Sequence, residues 1–155
     1  FLALGETRGP EIRALFQAAA LGHGCVTTFH AADVASALVR MSSPPLSVGE
    51  AEIKLIWAFV TMGASGARRG VKDVAEVSPL SPGGISEVPV DDQEELLGRS
   101  HRLRDASSFL GLSEREIREE LERRSTFLAE LAERRIFSYG EFVGEVRRFY
   151  EEDSG

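Results

Sequence analysis

The first third of the chain alternates between short apolar runs and apolar positions at helical spacing. Residues 1–4 form an apolar run that Gly5 closes, and the short β-branched run 25–29 is typical of a strand. Between these runs, apolar residues recur every three or four positions after Pro10, which suits the first turn of a helix. The pattern therefore predicts a strand, a helix and a strand, with both strands buried.

A second helix and a hairpin are predicted next. Residues 32–41 place their apolar side chains on one side and predict a short helix, which a proline pair ends. The stretches 56–62 and 70–77 are strand-like and flank a glycine-rich turn, so they predict an antiparallel hairpin. Residues 85–90 predict one more strand, which Pro89 confines to a sheet edge.

From Asp91 onwards the pattern is helical. Residues 92–110 predict a single helix with an apolar face. Two further helices are predicted to begin at capping boxes, in which a serine is followed three residues later by a glutamate. The two capping boxes are Ser113 with Glu116 and Ser138 with Glu141. We therefore expect three helices in this part of the chain.

The pattern divides the chain into two predicted domains. Residues 1–84 are expected to be α/β, and residues 85–155 to form an all-α C-terminal subdomain. The first part is electrically neutral, whereas the second carries the whole net charge of −7. Such acidity argues against a nucleic-acid partner, because neutralising phosphates needs a basic face. The single cysteine excludes an internal disulfide, and no apolar run reaches the roughly 20 residues of a membrane span.

Residues that could carry chemistry follow both predicted strands of the first part. Glu6 comes directly after the first strand and His30 after the second, and ligands of open α/β sheets collect at the carboxyl ends of strands. If the strands are parallel neighbours about 4.8 Å apart, both side chains can reach one site. A carboxylate there could orient a water or a metal. The alternative is structural, with Glu6 simply pairing with Arg8 at a strand–helix junction.

His23 lies at the opposite end of the second strand from His30. A straight strand would separate the two rings by on the order of 20 Å, so we expect His23 to be mainly structural. A zinc site that combines both histidines with Cys25 and Asp33 matches no usual ligand spacing. We therefore predict no metal site, and Cys25 is more typical of a small buried hydrophobe than of a nucleophile.

Two further features concern phosphate binding. Arg68 and Arg69 lie next to each other on the predicted hairpin, where adjacent strand residues point to opposite faces. They are either solvated or contribute charge to a phosphate or a neighbouring subunit. The sequence G-x-x-x-x-G-K-S/T occurs nowhere in the chain, so the chain holds no phosphate-cradling loop of that kind.

Four segments occur in a distinctive order and spacing near the start of the chain. They are Gly5-Glu6-Thr7-Arg8-Gly9, Leu15-Phe16-Gln17-Ala18, Gly22-His23-Gly24 and Thr27-Thr28-Phe29-His30-Ala31. Together they resemble the Walker B segment and His box of the type II/type IV secretion ATPase superfamily. Further segments are most similar to the archaeal branch, which drives archaeal type IV pili and the archaellum. They are Ser43-Pro44-Pro45, Arg68-Arg69-Gly70-Val71 and Ala75-Glu76-Val77. The resemblance covers residues 1–80, and residues 81–152 with less specific motifs.

The resemblance implies a RecA-like core that hydrolyses ATP with Mg²⁺. Such a protein works as a homo-hexameric ring on the cytoplasmic face of the membrane, beside an inner-membrane platform protein of the secretion or pilus machine. The resemblance implies that Glu6 is the Walker B acid, followed by the family's arginine at Arg8, and that His23 and His30 are the His-box histidines. Arg68 and Arg69 would contact nucleotide or a neighbouring subunit, as would Arg8 and His23.

The opening strand and the resemblance lead to the same expectation about the extent of the chain. A domain seldom begins within a buried strand, so we expect the C-terminal half of a longer protein, with the Walker A half upstream of Phe1. This half alone is expected to be inactive. An alternative function stays open, in which the chain is a non-catalytic interaction module that binds a partner through its acidic helical tail.

Overall fold

The computed structural model describes residues 1–66, 68–77, 84–88 and 92–151. Contacts between residues divide the chain into unit 1, Phe1–Asp105, and unit 2, Ala106–Gly155. This division comes later in the chain than the predicted domain boundary after residue 84, because the segment that follows residue 84 pairs with the hairpin as a strand. The architecture is mixed α/β, as the pattern predicted.

The predicted elements occur in their expected order, with a further short helix before the hairpin and two helices where one was predicted over residues 92–110. The first elements are β1 (Leu2–Leu4), α1 (Ile12–Ala20), β2 (Cys25–Thr27), α2 (Val34–Ser42) and α3 (Glu50–Ile53). Next come β3 (Ala58–Ser65), β4 (Arg68–Val77) and β5 (Ile85–Val88). The last are α4 (Gln93–Arg99), α5 (His101–Leu110), α6 (Glu114–Glu133) and α7 (Tyr139–Glu151).

Strands β1 and β2 form a two-stranded parallel sheet, which confirms that they are parallel neighbours. The register pairs Leu2 with Cys25 and Leu4 with Thr27. The prediction that both strands are buried is wrong for this chain, since Leu2 is 38% and Val26 52% exposed. Cys25 faces α1, because its thiol reaches the Leu15 carbonyl, and its neighbour Val26 points to the opposite face, which is left to solvent.

The apolar core of unit 1 is built on the amphipathic faces of α1 and α2. Its buried members are Ile12, Phe16, Met41, Leu46 and Val48. Partly buried Phe29, Ile53, Ile56 and Phe59 pack against them. Burying one large apolar side chain stabilises a fold by about 1.5–3 kcal/mol, so this cluster fixes α1 and α2, and with them the loops that follow β1 and β2.

The second sheet has the order β3-β4-β5 and is antiparallel throughout, which confirms the hairpin and the additional edge strand. The glycine-rich turn predicted between residues 62 and 70 is wrong in its extent. Gly63 pairs with Gly70 and Ser65 with Arg68, so β3 continues almost to the tip of the hairpin. Gly66 has a positive φ of 60°, which glycine adopts without strain. Ala67 and Pro89 lie outside the described residues.

The prediction of a single helix over residues 92–110 is also wrong. Ser100 has extended backbone angles and separates α4 from α5. Its hydroxyl donates to the carboxylate of Glu76 over 2.5 Å, and the backbone N–H groups of His101 and Arg102 donate to the same carboxylate over 2.8 and 3.2 Å. The buried Glu76 of β4 thus caps the start of α5 from a distant part of the chain.

Unit 2 contains α6 and α7, which begin at the two predicted capping boxes. The rings of Phe127 and Phe149 stack with their centroids 4.3 Å apart, and Arg134 donates two hydrogen bonds of 3.1 Å to the carboxylate of Glu145. Among the helices of the described ranges, none combines the length and the apolar character that crossing a bilayer requires.

Candidate functional site

Hydrogen bonds between threonines hold the segment after β1 against the segment after β2. The backbone N–H of Thr7 donates to the Thr28 carbonyl over 3.0 Å, and the Thr28 hydroxyl donates to the Gly5 carbonyl over 2.6 Å. The hydroxyls of Thr7 and Thr27 lie 2.8 Å apart, and Thr7 is buried. Glu6 lies between two of these anchored residues, so its position relative to the loop after β2 is fixed.

Glu6, Arg8 and His30 form a cluster of charged and polar side chains at the carboxyl ends of β1 and β2. The Nε of Arg8 donates to Oε1 of Glu6 over 2.6 Å, and Nε2 of His30 lies 3.1 Å from the same oxygen. The cluster is open, since the side chains of Arg8 and His30 are 75% and 79% exposed, and that of Glu6 27%. Glu6 and His30 therefore lie together, as predicted. The ion pair between Glu6 and Arg8, which the structural alternative predicted, is present as well.

The electrostatics of the cluster favour an ionised carboxylate. The hydrogen bond from Arg8 holds the pKa of Glu6 below its usual range, and the positive charge of Arg8 acts in the same direction. The same hydrogen bond raises the pKa of Arg8. At neutral pH the cluster therefore presents a carboxylate that can accept hydrogen bonds from a water, beside an imidazole and a guanidinium that can donate them.

Two residues that the sequence analysis missed fix the backbone around the cluster. Oε1 of Glu11 accepts hydrogen bonds from the backbone N–H groups of Arg8 and Gly9, over 2.6 and 2.7 Å, and these bonds lower the pKa of Glu11. An acid just before a helix is a recognisable signal for this arrangement. Arg40 donates to the backbone carbonyl of His30 from α2, and nothing in the local sequence indicates that contact.

The other predicted site residues belong to other segments of the chain. His23 precedes β2, and its backbone N–H donates to the Ala18 carbonyl at the end of α1. Arg68 and Arg69 begin β4, and the Arg69 side chain is exposed. The proposed contacts of these three residues with nucleotide or another subunit stay predictions.

The thiol of Cys25 is engaged by backbone carbonyls. Cys25 is half-buried, and its thiol donates to the carbonyls of His23 and Leu15 over 3.4 and 3.7 Å. Within the ranges that the structure describes, no three His, Cys, Asp or Glu side chains lie close enough together to hold a metal ion.

Comparison with known proteins connects this cluster to a family. Residues 1–60, which include Glu6, Arg8, His23 and His30, match the sequence model of a family described as type II/IV secretion system protein. The match supports the resemblance to that family. It ends at residue 60, within the first residues of β3, so it carries no information on Arg68 and Arg69.

Two archaeal proteins of Methanocaldococcus jannaschii are similar to the chain. The chain is 30% identical to the uncharacterized protein MJ1287 over its whole length, and the alignment covers 62% of that protein. It is 25% identical to the uncharacterized protein MJ0900, and that alignment covers 97% of this chain and 30% of that protein. The chain thus spans less than two thirds of the length of either relative.

Proposed function

We propose that this chain is part of a cytoplasmic ring ATPase, peripheral to the membrane, which powers protein secretion or the assembly of type IV pilus or archaellum filaments. The observation that carries the proposal is the contact between Glu6 and His30, within the segment that matches the secretion-system family. In this proposal residues 1–84 belong to a RecA-like core of the archaeal branch. The intact protein is a homo-hexamer that engages an inner-membrane platform protein and uses ATP and Mg²⁺.

The residues of the cluster fit one end of such a cofactor. An ionised carboxylate with donors beside it suits the place where a water meets a terminal phosphate, whereas the chain holds no G-x-x-x-x-G-K-S/T loop for the other phosphates. When bound, ATP with Mg²⁺ supplies the phosphoryl group and a charge that its magnesium partly neutralises. Residues outside this chain would have to hold the remaining phosphates.

Within the proposal, Glu6 orients the attacking water. Phosphoryl transfer passes through a loose transition state, so fixing the water in line matters more than a strong base. An ionised carboxylate accepts a hydrogen bond from that water and sets its direction. Nε2 of His30 lies 3.1 Å from Glu6, close enough for the imidazole to donate to a phosphate oxygen on which charge develops.

Replacing Glu6 with glutamine tests the proposal. In the protein expressed from the complete gene, Glu6→Gln should lower kcat for ATP hydrolysis by on the order of 100-fold or more, because the amide is a poorer acceptor and bears no charge. ATP affinity, measured by calorimetry, should change little. Glu119→Gln removes an exposed glutamate of α6 and is the matched control. The proposal fails if the wild-type protein hydrolyses no ATP, or if Glu6→Gln keeps the wild-type kcat.

A second candidate function is a protein-interaction module in unit 2. Helices α6 and α7 form an open groove there, with phenylalanine rings beside glutamates. The groove is lined by Glu122, Arg123, Thr126, Phe127, Glu130 and Phe149. Arg123 lies 3.9 Å from the centre of the Phe149 ring, but the two glutamates leave the lining with a net negative charge, which suits a basic, partly apolar peptide.

Glu130→Lys should weaken the binding of an arginine-rich amphipathic peptide, whereas Glu6→Gln should leave it unchanged. Equal affinity in the wild-type and Glu130→Lys proteins would contradict this candidate.

A further inference from the structure

The two oxygens of the Glu6 carboxylate have different surroundings. Oε1 accepts a hydrogen bond of 2.6 Å from Nε of Arg8, and Nε2 of His30 lies 3.1 Å from the same oxygen. Among the residues that the structure describes, none forms a hydrogen bond with Oε2. One oxygen is therefore in contact with side chains from two different loops, while the other is left for a further partner.

The backbone of Arg8 is held in place by Glu11. Its backbone N–H donates to Glu11 over 2.6 Å, and the next N–H, of Gly9, donates to the same oxygen over 2.7 Å. The guanidinium thus extends from a fixed backbone and meets Glu6 through Nε, the nitrogen nearest to the backbone. An exposed ion pair of this kind adds little to stability.

His30 is anchored on the opposite side of the cluster. Its backbone carbonyl accepts a hydrogen bond from Arg40, whose guanidinium also lies 4.9 Å from the centre of the Phe29 ring. The two side chains next to Oε1 therefore come from separately anchored segments. Rotation of the Glu6 carboxylate would break both contacts at once.

We infer that Arg8 is a positioning residue, which together with His30 fixes Oε1 of Glu6 so that Oε2 accepts the hydrogen bond of the attacking water. The inference rests on the proposed function and assigns Arg8 a role within it. A carboxylate fixed at one oxygen presents the other in a constant direction, and a displacement of about 1 Å at a reacting group costs up to about 100-fold in rate. Arg8 acts here through Glu6 and does not bind the nucleotide.

The inference is tested with Arg8→Gln, Arg8→Lys and, as matched control, Arg13→Gln. Arg13 is an exposed arginine of α1, close in sequence but not in the cluster. Carbon-13 NMR of the carboxyl groups gives the pKa of Glu6, and steady-state kinetics of the protein expressed from the complete gene give kcat and KM for ATP. The pKa and the kinetic constants are measured in the wild-type protein and in the three variants.

Arg8→Gln should raise the pKa of Glu6 towards its usual value, because the charged donor is lost. It should lower kcat about tenfold and leave KM for ATP within about twofold, since only the direction of the carboxylate changes. Arg8→Lys keeps the charge and should restore part of the lost kcat. Arg13→Gln should change neither quantity.

Each other outcome overturns the inference in a recognisable way. An unchanged Glu6 pKa in Arg8→Gln would show that the ion pair does not form in solution. A raised pKa with unchanged kcat would show that the pair forms without positioning the reaction. A higher KM with unchanged kcat would make Arg8 a nucleotide contact. Absence of ATP hydrolysis by the wild-type protein would overturn the proposed function, and this role with it, whatever the pKa values are.

Discussion

His23 and His30 differ in their surroundings although both belong to the motif of residues 22–31. His30 lies 3.1 Å from the carboxylate of Glu6, while His23 precedes β2 and is tied by its backbone to the end of α1. In the protein expressed from the complete gene, His30→Ala should lower kcat on the order of 100-fold. His23→Ala should act mainly through the melting temperature. An equal loss of kcat in His23→Ala, with unchanged thermal stability, would contradict this division.

The buried hydroxyl of Thr7 predicts a measurable coupling with Thr27. Their hydroxyl oxygens are 2.8 Å apart, and Thr7→Val removes one partner while keeping the shape of the side chain. Thr7→Val should lower the free energy of unfolding by about 1 kcal/mol in urea denaturation. The double variant Thr7→Val/Thr27→Val should lose less than the sum of the two single variants, because no hydroxyl is left without its partner. Additive losses would show that the two hydroxyls do not interact.

At this scale the sequence could place Glu6 and His30 together, but not describe how they meet. Both residues follow β1 and β2, and the carboxyl ends of parallel strands share an edge, so order along the chain was sufficient. The choice of Oε1 by Arg8 and His30 depends on side-chain rotamers and on the anchor that Glu11 provides. Neither the rotamers nor the contact with Glu11 can be predicted from the spacing of residues along the chain.

Among the elements, the break between α4 and α5 has a cause far away in sequence. Residues 92–110 have helical periodicity, which describes one face of one element and carries no information on its partners. The break occurs where Ser100, His101 and Arg102 reach the buried carboxylate of Glu76. The capping boxes of α6 and α7 were predictable, by contrast, because each lies within four consecutive residues.

The role of Glu76 as a distant cap gives a prediction for this pair of elements. Glu76→Ala should lower the free energy of unfolding by about 3 kcal/mol, since the Ser100 hydroxyl and two backbone N–H groups lose their acceptor in a buried place. Glu133→Ala, at an exposed position of α6, is the control and should stay within about 0.5 kcal/mol of wild type. Urea denaturation followed by circular dichroism measures both. Similar losses in the two variants would contradict the cap.

For the whole molecule, composition and contacts divide the chain at different places. The change from neutral to acidic sequence falls after residue 84, but β5 and α4 belong to unit 1 with the hairpin. Composition records the average character of a segment, whereas the units depend on pairings such as Val77 with Ile85. The mixed α/β class follows from periodicity alone, because it requires only the order of elements.

The open cluster and the absent phosphate loop together predict how the isolated chain responds to ATP. Three polar side chains, two of them more than 70% exposed, offer few contacts to a nucleotide. In nucleotide-binding loops of the G-x-x-x-x-G-K-S/T kind, backbone N–H groups and a lysine supply the main contacts to the phosphates, and this chain has no such sequence. Isothermal titration of the 155-residue chain with ATP and Mg²⁺ should therefore show no binding in the micromolar range.

The protein expressed from the complete gene, titrated in the same buffer, is the positive control. Micromolar binding with turnover by the chain alone would mean that other residues of this chain hold the phosphates, and Glu6 would then have to be tested within that site.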